Sequence, residues 1–142
     1  MKKAARTLLL MILIISIMST SFVMAYAVTP RSNAYVSSFT NKITAIGDGK
    51  VKIEFETRGM GTMDKIGAST IKVYDQDGWV YSFFMSNPTY TSQMIGTKST
   101  HFYGSVTYQG VEGNTYYATV THYAAKGSGS GTEDLSSNSV VA

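Results

Sequence analysis

Val51-Lys-Ile-Glu-Phe-Glu-Thr57 alternates without a break, with Val51, Ile53 and Phe55 on one side and Lys52, Glu54 and Glu56 on the other. A period of two belongs to an extended chain, because a helix would scatter the three apolar residues around its circumference. One face of this segment is therefore buried and the other wet. The rest of the chain agrees in composition: Thr, Tyr, Val and Ser are plentiful, charged residues make up only 15%, and there are two prolines. These are the residues that suit a pleated, half-buried surface.

Further strands are predicted on either side. Tyr35 to Ile46 reads as an edge strand running into the turn Gly47-Asp48-Gly49, which launches the alternating segment. Thr70 to Tyr74 and Trp79 to Met85 flank Asp75-Gln-Asp-Gly78, a hairpin whose last residue suits a positive φ. Asn87 to Lys98 holds Pro88 and Gly96 and reads as a loop, and strand character resumes at Thr100 to Gln109 and Thr115 to Ala125. Lys126 to Gly131 is flexible by composition, with a last strand possible over Ser136 to Val141. Between the second and third strands, Thr62 as a helix cap, Asp64 in the first turn, Met63 and Ile66 three apart and Gly67 as a stop predict one helical turn plugging the end of the fold. The expected fold is all-β: a single immunoglobulin-like or fibronectin-like antiparallel β-sandwich of about seven strands.

Residues 1–27 read as a signal peptide and 28–142 as the single sandwich domain. Lys2, Lys3 and Arg6 precede the apolar run Leu8 to Met18, and Ala25-Tyr26-Ala27 is a small-x-small cleavage site. The run is short for a membrane-spanning helix, so no stable membrane insertion is expected after cleavage. Three of the 12 Lys and Arg residues lie in this leader, which leaves nine to balance nine Asp and Glu. The basic balance thus belongs to the export signal, and no Lys/Arg cluster remains to suggest nucleic acid as a partner. With no cysteine there is no disulfide, thiol nucleophile or lipid-modified thiol. An exported chain without disulfides suits release from a bacterium with one membrane.

Candidate chemistry is sparse. Asp75 and Asp77 could begin a calcium loop, but the twelfth position is Ser86 where a bidentate Glu is needed, so a plain turn is favoured. Glu54 and Glu56 share a face with Lys52 and read as a solvated surface rather than an acid/base pair. His101 and His122 have no ligand spacing around them and read as sheet-surface residues. No catalytic residue, metal site or cofactor is expected. The aromatic set is richer. Trp79, Tyr81 and Phe83 fall on one strand face and read as core packing, with Trp79 structural, whereas Tyr90 and Met94 in the irregular loop are candidates to face a partner.

The tyrosine pair in Val111-Glu-Gly-Asn-Thr-Tyr116-Tyr117-Ala-Thr-Val-Thr121 poses a separate question. Alternation puts Tyr117, Thr119, Thr121 and Tyr123 on one face and Tyr116, Ala118, Val120, His122 and Ala124 on the other, and either set could be inner. The spacing resembles the segment before the sixth strand of immunoglobulin-like and fibronectin-type domains. There a tyrosine hydroxyl bonds to backbone a few residues upstream. That resemblance implies Tyr117 as the inward, structural ring and Tyr116 as an outward, candidate partner-facing one. Gly61 to Trp79, "GTMDKIGASTIKVYDQDGW", together with Gly104 to Ala124, "GSVTYQGVEGNTYYATVTHYA", resembles a family of small secreted Gram-positive bacterial proteins of unknown function. The resemblance implies export and domain limits, and it supplies no site residue. The functional expectation is an exported, non-enzymatic binding module whose partner is a protein or a cell-envelope glycan. A self-associating structural protein and a hydrolase or inhibitor with a site assembled in three dimensions are the alternatives.

Overall fold

A computed structural model describes Thr29, Pro30 and residues 33–142; the leader at 1–27 lies outside the described residues. The chain is all-β. Strands run over Thr29–Pro30 (β1), Val36–Gly47 (β2), Lys50–Asp75 (β3), Gly78–Phe84 (β4), Ile95–Gln109 (β5), Thr115–Lys126 (β6), Gly129–Ser136 (β7) and Val140–Val141 (β8). One helical turn, Thr91–Met94 (α1), precedes β5. Every strand pairing is antiparallel, and β1 to β7 form one sheet with β8 added to the start of β6.

The long strand β3 organises the sheet by changing neighbours along its length. Its first half pairs with β2 on one side and β5 on the other, through Ile43↔Ile53 and Ile53↔Val106. Its second half pairs with β4 and β6, through Val73↔Tyr81 and Val73↔Ala118. The bend between them is built by extra residues: from Arg58↔His101 to Met63↔Ser99, β3 advances five residues while β5 advances two. Such bulges kink a strand and increase its twist. The sheet therefore curls, and the inner faces of both halves share one core. Val51, Ile53, Phe55, Ile71, Val73, Phe83, Val106 and Val120 all belong to it.

The helical turn expected at Thr62 to Gly67 is instead strand. Met63 and Ile66 are both buried, as their spacing suggested, but the chain reaches them through the irregular stretch of β3 rather than a helix. A second bulge at Ser69, between Ala68↔His122 and Thr70↔Thr121, then shifts the inward set from Ile66 and Ala68 to Ile71 and Val73. Gly67 sits in this stretch at φ +150°, and a Cβ there would collide with the Met94 carbonyl oxygen. No other residue lets α1 approach β3 so closely.

The hairpins follow the sequence reading. Gly47, Asp48 and Gly49 take φ of +88°, +53° and +71° ahead of the Gly47↔Lys50 pair. Asp75 Oδ1 accepts from the Asp77 and Gly78 amides at 2.8 and 3.1 Å, making an ordinary side-chain-supported turn. Lys126 to Gly131, in contrast, is no flexible tail. Gly127 at φ +60° turns the chain tightly, Lys126 pairs with Gly129, and β7 continues along β6 to Ser136. This closes one seam of the curl, where Asn41 Nδ2 donates to the Leu135 carbonyl at 2.6 Å and Asn33 Nδ2 donates to Glu133 Oε1 at 3.2 Å.

The faces of β6 are the reverse of those the resemblance implied. Tyr116, Ala118, Val120, His122 and Ala124 are buried, and Tyr117 lies on the outer face, its ring stacked on Tyr74 at 4.8 Å and 7°. The upstream pin exists, but Tyr116 makes it: the Val111 N–H donates to the Tyr116 hydroxyl at 2.9 Å. Tyr116 is thus the structural ring, not a partner-facing one. The Tyr116 ring also occupies the space that a side chain at Gly110 would need. The physical reason is volume. The small residues Ala118 and Ala124 let β6 lie close under the opposing half of the sheet, and one large ring at its start fills the end of the core.

Candidate functional site: an aromatic groove between two sheet edges

The seam opposite Asn41 and Leu135 is not closed. Among the described residues β4 and β5 each pair only with β3, so both present a free edge. Aromatic side chains from these edges meet instead of backbone. Tyr81 from β4 lies 5.8 Å from Tyr108 of β5, ring centre to ring centre, and meets Phe83 edge to face at 4.9 Å and 71°. Tyr90, just before α1, stands against Phe83 at 5.0 Å and 85°. Behind them Tyr108 rests on Tyr116 at 5.6 Å. The result is a groove of about 290 Å³ lined by Tyr81, Phe83, Tyr90, Thr107, Tyr108 and Gln109.

Local strand geometry determines which rings reach it. A bulge at Val80, between Val73↔Tyr81 and Tyr74↔Trp79, keeps Tyr81 and Phe83 on the core side and turns Trp79 outward. Trp79 is 64% exposed and donates its indole N–H to Ser82 Oγ at 3.0 Å, so it is a surface ring and not the core residue that period-two spacing implied. Phe83 is buried at the groove floor and Tyr81 stands at its rim. A hydrogen bond to Tyr90, then burial, push the Tyr81 phenol above its ordinary pKa. Burial, with Tyr116 and Asp75 nearby, pushes Tyr108 up as well. Tyr81 and Tyr108 are therefore neutral at physiological pH, and the lining holds no carboxylate, amine or imidazole.

A larger hollow, about 590 Å³, lies on the wet face of β2 and β3, lined by Thr40, Asn41, Lys42, Glu54, Phe55, Glu56 and Tyr103. Its carboxylates are occupied. Lys52 Nζ reaches Glu54 Oε1 at 2.8 Å, the Tyr103 hydroxyl donates to the same oxygen at 2.5 Å, and Arg58 holds Glu56 at 2.6 Å. The hydrogen bonds from Lys52 and Tyr103 hold Glu54 below the usual carboxylate range, the opposite of what a general acid requires. This is the solvated, self-neutralised face that the Lys/Glu alternation suggested.

His122 departs from its expected place on the surface, while His101 is exposed as expected. His122 is fully buried between Phe39, at 4.8 Å, and Phe55, at 6.1 Å. The Thr57 hydroxyl donates its one proton to the Gly67 carbonyl at 2.8 Å, so it must accept from His122 Nδ1–H, also at 2.8 Å. That fixes the tautomer and leaves Nε2 as an acceptor without a partner. Burial depresses the imidazole pKa to about 3. The Thr57–His122 pair forms a polar layer between the main core and a smaller cluster of Val36, Phe39, Met63, Ile66 and Ala124.

Of the loop residues expected to face a partner, Tyr90 lines the groove and Met94 does not. Met94 is 0% exposed and packs in the core, because α1 turns its one long apolar side chain inward under the start of β5. Nothing in the sequence singles out Tyr108. It sits in an unremarkable Thr-Tyr-Gln, and only the curl of the sheet brings it to Tyr81. Among the described residues no helix is long and apolar enough to cross a membrane. No family model matches the chain, and neither a curated protein nor a solved structure does.

Proposed function

We propose that this is an exported, non-enzymatic binding module that takes its ligand, a cell-envelope glycan, in the groove between β4 and β5. The observation that carries the reading is the lining itself: four aromatic rings and two uncharged polar side chains, with no acid or base among them. Ligand sites are commonly apolar and aromatic, with a few polar groups to fix orientation. The carboxylates of the wet face, each held by a cation, favour binding over catalysis. Secretion and a Gram-positive source follow from the leader and the lack of cysteine and belong to the same proposal. So does the finer description of the scaffold as an immunoglobulin-like sandwich. The Tyr116 pin to Val111 and the shared core of the two β3 halves support it.

Co-sedimentation with isolated Gram-positive cell walls tests this function. Tyr81→Ala and Tyr108→Ala should release the protein to the supernatant, whereas Trp79→Ala, on the outer face, should not. Retention by both groove variants, or loss only with Trp79→Ala, refutes the groove as the site. Capture after the wall glycan is digested away would assign the binding to a protein.

A further inference from the structure

We propose that the group seated in this groove is a quaternary or methylated ammonium substituent carried by the envelope glycan, held against the faces of Tyr81, Phe83, Tyr90 and Tyr108. The inference rests on the groove being the binding site and adds the chemical class of what enters it.

Ring orientation is the first argument. A flat sugar ring stacks best on one broad aromatic surface, but these rings do not make one. Phe83 meets Tyr81 at 71° and Tyr90 at 85°, so successive rings stand as walls at near right angles, and Tyr108 closes the far side at 30° to Tyr81. Rings set at such angles offer no single stacking plane, and the partly exposed Tyr81, Tyr90 and Tyr108 line the groove as separate π surfaces above the buried Phe83. That arrangement attracts a compact cation, whose charge interacts with rings within about 6 Å of their centres.

Charge is the second argument. No Lys, Arg or His lines the groove. Lys72, opposite Ser82, is exposed on the outer face of β3 with Tyr74, and the cations beside β5 are Lys50, opposite Gln109, and Lys52, opposite Thr107. Each of the latter two is engaged by its own carboxylate, Lys50 with Asp48 at 3.8 Å and Lys52 with Glu54 at 2.8 Å. The anion that bears on the groove is Asp75. It shares the inward side of β3 with Val73, the cross-strand partner of Tyr81, and it acts electrostatically on Tyr108. No cation is paired with Asp75 among the described residues, its oxygen Oδ1 being used only by the turn amides. Neutral phenols, a nearby carboxylate and no competing amine together favour a positive ligand over a neutral or anionic one.

Size is the third. A groove of about 290 Å³ is small for several sugar rings but accommodates a trimethylammonium group with the start of its linker.

Titration of the protein with choline and with its neutral isostere 3,3-dimethyl-1-butanol, followed by amide and ring resonances, tests the inference. Choline should saturate with shifts confined to Tyr81, Tyr90, Thr107, Tyr108 and Gln109, and the isostere should bind at least about tenfold more weakly. Asp75→Asn, which keeps the oxygen that accepts from the turn amides, should weaken choline several-fold and leave the isostere unchanged. Tyr81→Leu, at the exposed rim, should abolish choline binding without altering the thermal melt. Equal or tighter binding of the isostere overturns the cation assignment and leaves the groove as an apolar site. No response to choline, with cell walls still bound through Tyr81 and Tyr108, also overturns it while the groove reading stands. If choline gives no response and walls bind independently of those tyrosines, both fall.

Discussion

Lowering the pH should destabilise this protein through His122 before its carboxylates titrate. In the folded state the imidazole is neutral, buried between Phe39 and Phe55, with burial holding its pKa at about 3 against an ordinary 6.5. The unfolded chain binds the proton more readily, so the His122 contribution is fully present above pH 6.5 and declines as the pH falls from 6.5 toward 3. The slope approaches about 1.4 kcal/mol per pH unit, which gives roughly 2.5 kcal/mol lost between pH 7 and pH 4.5. For a domain whose total stability is on the order of 5–15 kcal/mol, that is a large fraction and lowers the melting temperature by on the order of 10 °C. Denaturant melts across this range, on the wild type and on His122→Phe, measure it. Phe carries no proton and keeps the ring contacts, and the Thr57 hydroxyl retains its bond to Gly67. The variant should therefore lose most of the pH dependence between 7 and 4.5. A wild-type stability that stays flat over that window, or a slope unchanged in His122→Phe, refutes the reasoning. Glu54 acts lower on the scale. Its pKa is depressed by Lys52 and Tyr103, so its contribution is present above the ordinary carboxylate pKa and fades only as the pH drops below it.

Tyr116→Phe removes the acceptor for the Val111 N–H and should cost roughly 1–3 kcal/mol, whereas Tyr117→Phe keeps the stack on Tyr74 and should stay within about 0.5 kcal/mol. Equal losses in denaturant melts would contradict the assignment of the β6 faces. Gly67→Ala should destabilise by several kcal/mol or prevent folding, on the order of the larger backbone-strain and overpacking effects, because its Cβ meets the Met94 carbonyl oxygen. A soluble Gly67→Ala protein with an unchanged melt would mean that α1 does not pack against β3 as described.

The parts of the fold legible in the sequence are those where alternation runs without interruption. Val51 to Thr57 is as its residues indicate, since nothing shifts its register, and the Asp75–Gly78 turn forms as its residues indicate because the first shift in that hairpin comes only at Val80. Legibility fails at each bulge. The irregular stretch between Arg58 and Met63 interrupts the alternation ahead of Met63 and Ile66, and one extra residue at Ser69 moves the buried set from Ile66 and Ala68 to Ile71 and Val73, so the continuity of β3 is hidden. One extra residue at Val80 separates Trp79 from Tyr81 and Phe83, three rings that share a face only on paper. A bulge leaves no fixed residue type behind, so periodicity alone does not locate it. The strand β7 was hidden for another reason. Gly-Ser-Gly-Thr-Glu-Asp-Leu-Ser has little apolar content because it covers an edge of the sheet rather than filling the core. On β6 the small apolar set and the tyrosine set were both credible inner faces, and only the closeness of the opposing half decides for the alanines. The groove combines both failures. Tyr90 was identifiable as a loop aromatic and Tyr81 as part of an aromatic strand, but Tyr108 joins them through a curl that no local pattern encodes.

In the proposed function the free edges of β4 and β5, not the outer face, form the binding surface. Amide resonance mapping during titration with soluble fragments of cell-wall glycan tests it most directly. Shifts should concentrate at Tyr81, Phe83, Tyr90, Thr107, Tyr108 and Gln109. Shifts concentrated instead at Trp79, Tyr74, Tyr117 and Thr119, with the groove unmoved, would contradict it and make the outer aromatic row the site.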